Sequence, residues 1–529
     1  MKHNPSHPSR PVSRSSCSVA LGRCLAWLLL WWALIAGADA AGTLHRGLGP
    51  GPDALDGHLA QSLAALNVLR DVHEGLITFD ADANLIPGVA RAWTVAADGL
   101  IWTFELDPRA RWSDGTPVVA ADFVAGWRRW LDPDTASPTA GLIDAVVNAE
   151  AVRRGELPVE ALGVVATAPD RLEVRLNRAL PWLDELLTHP GTFPWPGEEQ
   201  ERFSGPFVLE SYVPGAYLRL GRNPHYRSAE AVDLDAVVWH IIEEPSVELN
   251  RYRADQLHIT ESVPPGRLTW LREQFGEQLR IAPYLGSFFL AFNLSREPFR
   301  DQPELRRALS LVIDRRLLTE RVLGTGEVPA NRLIPPGMPG WPDTESEESD
   351  DRHESIALAR TLYRQAGYSG RRPLTVELRF NSTLSHRRMA AAVAAMWREH
   401  LGVRTRQVNE EWKVFVANRR QGRITEIVRG GWIADWRDAA NFLQLFESDS
   451  PLNYTFWRDE LFDRRMALAR SQSGSERLIT LRSAEDRLLE QQVIVPLYYY
   501  VSRHLVKPEV TGFNDNLMDI HLSRWLALP

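Results

Sequence analysis

The sequence predicts an α/β protein, and three observations predict it. First, Val237 to Ile242 reads VVWHII, an apolar run fit for a central strand. A helix from Ser246 to Ala254 follows it, then a second strand beginning near Leu257, and strand, helix, strand at this spacing is a crossover unit. Second, FFLAFN at Phe288 to Asn293 opens another unit, continued by a helix starting at Pro303 with apolar residues at Leu305, Leu309 and Val312, and restarting after Asp314. Third, helices at Ser355 to Gly367 and Arg387 to Leu401 bracket the strand TVELRF at Thr375 to Phe380.

The remaining elements fall into place around these. Thr43 to Leu48 is a first strand and Ala60 to Glu74 a helix with Leu63, Leu66, Leu69 and Val72 on one face, stopped by Gly75. IWTFEL at Ile101 to Leu106 and LEVRL at Leu172 to Leu176 alternate as strands do. Between them a turn at Asp114 to Pro117 leads into a helix with Asp122 near its N-terminus, and Trp112, Trp127 and Trp130 read as core. GPFVLESY and LRLGRNPHY after Phe203 form a hairpin. Trp412 opens a helix that leads to a strand at Arg429; a helix at Arg477 to Gln491 and the strand IVPLYYYV close the chain. Asp343 to Asp351 is an acidic surface loop. The 529 residues, 44% hydrophobic and 24% charged, suffice for several domains, and no repeat or flexible linker separates them, so the domains share strands and are discontinuous.

Residues 1 to 40 differ from the rest. Lys2, Arg10, Arg14 and Arg23 precede the apolar run LAWLLLWWALI at Leu25 to Ile35, and Ala38-Asp39-Ala40 supplies small residues for cleavage, which together make a secretory signal peptide. Both cysteines, Cys17 and Cys24, lie inside it, so disulfides and thiol chemistry are excluded for the exported chain. Arg23 before Cys24 and Ser16 before Cys17 argue against lipid attachment. No later run is long and apolar enough to span a membrane, so the exported chain is expected to be soluble. The whole chain carries a formal charge of -8 and the leader is basic, so the remainder is more acidic still; no nucleic-acid partner is expected.

The stretch with the most concentrated chemistry is RGGWIADWRDAANFLQLF, Arg429 to Phe446. Two glycines permit close backbone approach, two tryptophans offer apolar walls, and Asp435 stands among mostly apolar neighbours. An acid so placed needs a cation. Either Arg429 or Arg437 supplies it as a structural ion pair, or a ligand ammonium does. Catalytic signatures are missing: there is no G-x-S-x-G elbow, no phosphate loop, no H-E-x-x-H and no dinucleotide glycine fingerprint, and the 14 histidines are scattered. No enzyme activity, metal or cofactor is expected.

The order of motifs resembles the periplasmic oligopeptide-binding proteins that serve ABC importers, over about Thr43 to Trp525. The resemblance is carried by HEGL at His73 to Leu76, PGVARAW at Pro87 to Trp93, WSDGTPVVAADF at Trp112 to Phe123, DPDTASP at Asp132 to Pro138, NRYRADQLHIT at Asn250 to Thr260, VNEEWKVF at Val408 to Phe415, GGWIADW, and IVPLYYYV at Ile494 to Val501. It implies a two-lobed clamshell of mixed sheets with an extra α+β domain. Lobe one would combine residues 41–86, 201–284 and 503–529, the extra domain 87–200, and lobe two 285–502. The implied function is capture of short peptides between the lobes and delivery to an inner-membrane ABC permease, by a monomer. A murein-peptide or other small-solute binder of the same fold is the alternative within the class; a secreted hydrolase is the alternative outside it.

By the same resemblance, Asp435 receives the peptide's N-terminal ammonium. Arg429, Arg419 and His386 serve ligand carboxylates or balance charge, with Glu74 as a partner for such cations. Trp412, Trp432, Asn453 and Tyr499 line side-chain pockets. The backbone of Gly431 to Ile433 offers a strand to the peptide, because binding any sequence demands that affinity come from the main chain and the termini. The chain also departs from its relatives: Gly286 and Ile433 stand where a cysteine pair is usual, Ala291 where an acid is, and Thr139 where an aromatic is.

Overall fold

The apolar runs sort into four sheets in a computed structural model that describes residues 42–197, 201–341, 351–424 and 426–529. The expected signal peptide lies outside the described residues, as does all of the acidic loop except Asp351. Asp351 caps the helix Arg352–Gln365, accepting from the His353 and Glu354 amides.

The first sheet runs Thr43–Gly49, Ala236–Ile241, Tyr217–Arg222, Phe207–Val213. Its central strand is the apolar run at 237, parallel to Thr43–Gly49 and antiparallel to Tyr217–Arg222. The helix Pro245–Arg253 follows as expected. The strand expected near Leu257 is a correction: only isolated bridges form there, Ile259 lying parallel to Arg46 and antiparallel to Val506. The crossover survives in this reduced form, because Pro264-Pro265 stop the segment before a ladder can grow.

A second, wholly antiparallel sheet takes Ala90–Val95, Ile101–Leu106, Arg171–Arg175 and Val164–Ala168. The helix Ala120–Leu131 packs on it through fully buried Phe123, Trp127 and Trp130. Three indoles there find acceptors: Trp127 Nε1 donates to Thr192 O at 2.8 Å, Trp130 Nε1 to Thr139 Oγ1 at 3.1 Å, and Trp112 Nε1 to Asp122 at 3.1 Å. Asp122 also accepts from Val119 N, at the helix start where it was expected.

The third sheet has six strands in the order Val328–Pro329, Ile494–Leu505, Leu279–Phe292, Ile427–Ile433, Thr375–Asn381, Arg404–Glu410. Its two longest strands do more than fill it. Leu279 to Pro283 pair with Leu505 back to Val501, the register slips between Pro283 and Ser287 and again between Phe288 and Phe289, and Ser287 to Ala291 pair with Tyr499 back to Ile494. The first half of each strand pair therefore abuts the first sheet's body, where Thr260 N bonds Leu505 O, and the second half builds the third sheet. Two adjacent strands with two register shifts connect these bodies. The fourth sheet is the short pair Ile77–Phe79 and Leu85–Pro87.

Candidate functional site

The strand Ile427–Ile433 is paired along its whole length on one side and hardly at all on the other. Gly286 to Phe292 pair with Ile433 back to Ile427, whereas Thr375–Asn381 reaches only Ile427 and Val428. From Arg429 to Ile433 one edge of the strand is left without a ladder partner among the described residues. Glycine is required here by close packing: a Cβ on Gly430 would sit 2.3 Å from the Phe289 ring, and one on Gly431 would sit 2.7 Å from the Tyr500 hydroxyl. Gly286, expected to face Ile433, does so in the register, and a Cβ there would press 2.5 Å from the Tyr500 ring.

Asp435 stands just past one end of this edge. Both structural partners offered for it are engaged elsewhere: Arg437 bonds Glu185 at 2.9 Å, and Arg429 bonds Asn381 Oδ1 at 2.7 Å. Among the described residues no cation pairs with Asp435. Its surface opens to solvent, yet protein crowds it on most sides as at the bottom of a cleft, and this desolvation pushes its carboxyl up to about 6, against a smaller downward pull from Asn441. Asn441, fully buried, fixes the local turn by accepting from Trp432 Nε1 at 2.6 Å and from Asp435 N at 3.4 Å. Beyond it Trp436 stacks on Trp182 with ring centres 6.0 Å apart, and Asp438 takes both nitrogens of Arg477 at 2.6 and 2.8 Å. The acid is thus held on a braced turn.

At the other end of the edge the signs reverse. Arg429 is buried, lies 5.3 Å over Trp412 and 5.1 Å over Phe415, and faces Arg419, which lies 4.4 Å over Tyr454. Burial, with help from Arg419, lowers the Arg429 pKa, although Tyr500 and Tyr454 oppose that. His386 joins the cluster: its Nδ1 faces the Asn381 carbonyl at 3.2 Å, its ring packs 5.4 Å from Phe288, and burial plus the Arg429 charge push it down to about 4. Among the described residues neither Arg429 nor Arg419 has a carboxylate partner. A partly desolvated cationic cluster without an anion is built to receive one.

Three expected site residues are corrected. Glu74 does not balance Arg429, Arg419 or His386; it is buried in the body of the first sheet, where it accepts from Tyr226 Oη at 2.7 Å, Arg227 Nε at 2.6 Å and Arg524 Nη1 at 2.5 Å. Burial alone would raise its pKa, but Arg524 and Arg227 outweigh that and hold it low. Tyr499 faces away from the cluster, toward Glu485, Arg332 and Arg315; the residues beside Arg429 are Tyr500 and Tyr498, the latter stacked 4.6 Å from Phe288. Successive residues of a strand point to opposite faces, so the expectation was off by one. Asn453 lines a cavity of about 400 Å³ with Arg419, Leu452 and Phe456, but its side chain is spent on its own loop. Its amide donates to Phe446, Glu447 and Trp457 carbonyls, and its oxygen accepts from Thr455.

Trp412, half exposed, and Trp432 do border the open edge, as does Ile433. Tyr500, Tyr454, Phe415 and Asn441 were missed from the sequence. Only Tyr500 carried a signal, since it stands in a tyrosine triplet whose alternation offers two choices of face.

Residues 84–454 match the family model described as bacterial extracellular solute-binding proteins, family 5 Middle. The chain is 34% identical over 493 residues to the periplasmic murein peptide-binding protein MppA of Escherichia coli strain K12, covering 90% of this chain and 91% of the relative. It is 33% identical to the periplasmic oligopeptide-binding protein OppA of the same strain, covering 89% of each. The solved unliganded open form of MppA matches with a TM-score of 0.82 at 34% identity, over 93% of this chain and 98% of that one.

Proposed function

The chain belongs to the family 5 bacterial extracellular solute-binding proteins, and from that premise we propose that it captures short peptides in the periplasm and hands them to an inner-membrane ABC permease. The observation that carries this reading is the polarity of the open edge. Among the described residues an acid without a cation, Asp435, stands at one end, and cations without an acid, Arg429 and Arg419, stand at the other. A free peptide has the complementary pattern, an ammonium and a carboxylate separated by hydrogen-bonding backbone. Added as a strand along Arg429 to Ile433, it satisfies edge groups that the protein leaves open.

Sequence tolerance follows from the same layout. The termini and main chain supply the affinity, and the walls at Trp412, Trp432 and Ile433 accept varied side chains. We assign residues 42–86, 201–284 and 503–529 to one lobe, 87–200 to the extra domain and 285–502 to the second lobe. Val501 to Leu505 cross to the first lobe with Leu279 to Pro283, so closure bends the register slip between Pro283 and Ser287. The protein binds without turnover, and acts as a monomer.

A murein-peptide binder is the second reading, favoured by the likeness to MppA. Native mass spectrometry of the protein purified from periplasm, followed by calorimetry with released ligands, separates the two. Mixed short peptides, returned uncut after incubation, support the first; a single peptide bearing murein-type residues supports the second. Cleaved peptide would make the protein a hydrolase and overturn both.

A further inference from the structure

Two of the histidines that look scattered in sequence, His504 and His521, come together with an acid, Asp519. His504 lies on the strand Ile494–Leu505, and Asp519 and His521 on the C-terminal tail. One ligand atom from each lies within 4.8 Å of the other two. His504 Nε2 is 2.8 Å from Asp519 Oδ1, and His521 Nε2 is 3.1 Å from the same oxygen.

The arrangement of the His504 ring decides what the cluster can hold. Its Nδ1 stands 2.8 Å from the Thr260 carbonyl, which only accepts, so Nδ1 carries the hydrogen. In neutral imidazole that leaves Nε2 as a bare lone pair, aimed at a carboxylate oxygen that is itself an acceptor. Two acceptors in contact need a cation between them, either a second proton on the ring or a metal ion. A backbone carbonyl on Nδ1 with Nε2 turned inward is the outer support that metal-binding histidines use. Around the cluster the Phe513 ring stacks 3.8 Å from His521 and meets His504 edge-on at 5.5 Å, which restricts solvent and fixes both rings.

We propose that His504, Asp519 and His521 form a site for one divalent transition-metal ion of the zinc class, which ties the C-terminal tail to the strand joining the two lobes. Two imidazole nitrogens and one carboxylate suit zinc, and donors this close reach bonding distances of roughly 2.0 to 2.2 Å with movements of under about 1 Å. The ion would fasten three segments at one point: the strand at His504, the 258–261 segment through Thr260, and the tail. The tail that carries Asp519 runs beside the acid end of the open edge, since Leu285 N bonds Leu517 O and Ala434 N bonds Leu285 O, so the ion would anchor the tail next to the turn that holds Asp435.

The test uses the purified protein stripped with a strong chelator and then titrated with zinc chloride against a chromophoric competitor, alongside His504→Arg and His521→Gln. His504→Arg keeps a cationic partner for Asp519 and cannot ligate; His521→Gln keeps a hydrogen bond and loses the imidazole. The expected result is one zinc per chain for the wild type, a rise in melting temperature on loading, and at least tenfold weaker zinc binding in both variants. Cobalt substitution should give visible absorption bands in the wild type that His504→Arg lacks. Should the stripped wild type take up no more zinc than His504→Arg, or should its melting temperature not move, the cluster is an imidazolium and carboxylate ion pair only and the proposal falls. If His504→Arg does not fold, the His521→Gln titration and the cobalt spectrum of wild type decide alone.

Discussion

Arg437 spends its guanidinium on Glu185, 2.9 Å away on the body of the second sheet, and so leaves the acid two residues before it, Asp435, without a cation among the described residues. The neighbouring Trp436 is likewise claimed by Trp182. The turn is braced from the side opposite the open edge, and Asp435 is held ready for a charge from outside. Asp435→Asn should therefore weaken binding of a free-amine peptide by about 30-fold to several thousandfold, the roughly 2 to 5 kcal/mol expected when one member of a desolvated charge pair is lost. N-acetylation of the peptide should weaken the wild type similarly, and the two losses should not add. Calorimetry on the four combinations checks this; equal binding of acetylated and free peptide by the wild type would assign Asp435 a structural role.

The pH dependence follows from the same group. With its carboxyl near 6 in the ligand-free protein, Asp435 must lose a proton before it can meet an ammonium. Affinity should hold above pH 6 and fall by about tenfold per unit below it. Above about pH 8 the peptide's own amine deprotonates and affinity falls again. For the fold the sign is opposite: a carboxyl raised in the folded state destabilises it above the ordinary carboxyl pKa, so Asp435→Asn should melt slightly higher than wild type when no peptide is present, near pH 7. Isothermal titrations from pH 4.5 to 9 check the first; a flat profile through pH 6 would detach Asp435 from the ligand.

Tyr500 and Tyr499 should separate cleanly. Tyr500, which packs against Gly431 and Gly286 and lies near Arg429, should lose at least several-fold in peptide affinity as Tyr500→Ala with the fold kept. Tyr499 is buried on the other face, toward Glu485, so Tyr499→Ala should lower stability by about 3 to 5 kcal/mol, as large-to-small core changes do, with less effect on affinity in the folded fraction. Denaturant melts paired with calorimetry read both.

That pair also shows where the sequence stops being legible. Periodicity located the strand from Ile494 and the central run at Val237 because an apolar ladder needs nothing beyond its own side chains. It could not say which tyrosine faced the site, since a slip of one residue inverts a strand and the register is set by Leu279–Phe292, over 200 positions earlier in the chain. Asp435 was legible as an acid in need of a cation, and the two arginines that the sequence offered, Arg429 and Arg437, bond Asn381 and Glu185 instead. Glu74 was not, because Arg227 and Arg524 are brought to it by tertiary contacts that no local pattern marks. Nor was the convergence of His504 with Asp519 and His521, for the same reason.

Glu74 now carries a prediction about the fold. Two arginines and a tyrosine meet its carboxylate in a fully buried site. Glu74→Gln leaves Arg524 without its carboxylate and Arg227 with only the more distant Asp107, 4.0 Å away, and breaking a buried pair by removing one partner costs about 3 to 5 kcal/mol. Because the folded pKa is depressed, the wild-type contribution is complete above the ordinary carboxyl value and is lost as pH falls through the lower folded one. Urea melts at pH 7 and near pH 3 check both statements: the difference between wild type and variant should shrink at the acidic end, and a variant as stable as wild type at pH 7 would show the network to be dispensable.

The last prediction is the length of the ligand. The chain is extended from Arg429 to Ile433, four steps or about 13 Å at roughly 3.3 Å per residue, before the turn that carries Asp435. The peptide's ammonium sits at Asp435 and its carboxylate must reach Arg429 or Arg419, whose side chains extend some way toward it. An extended peptide advances about 3.3 to 3.6 Å per residue, so three to five residues fill the gap between the two charges. Shorter peptides satisfy one end only, and longer ones must carry the carboxylate past the cluster or bulge. Across an alanine series from two to eight residues, affinity should peak at three to five. C-terminal amidation should cost at least tenfold at the peak and little at eight residues, where the carboxylate has already left the arginines. Arg429→Met should flatten the peak without shifting the pH 6 transition, because that belongs to Asp435 at the other end. Affinity that is independent of length and of amidation would mean that Arg429 and Arg419 do not receive the carboxylate.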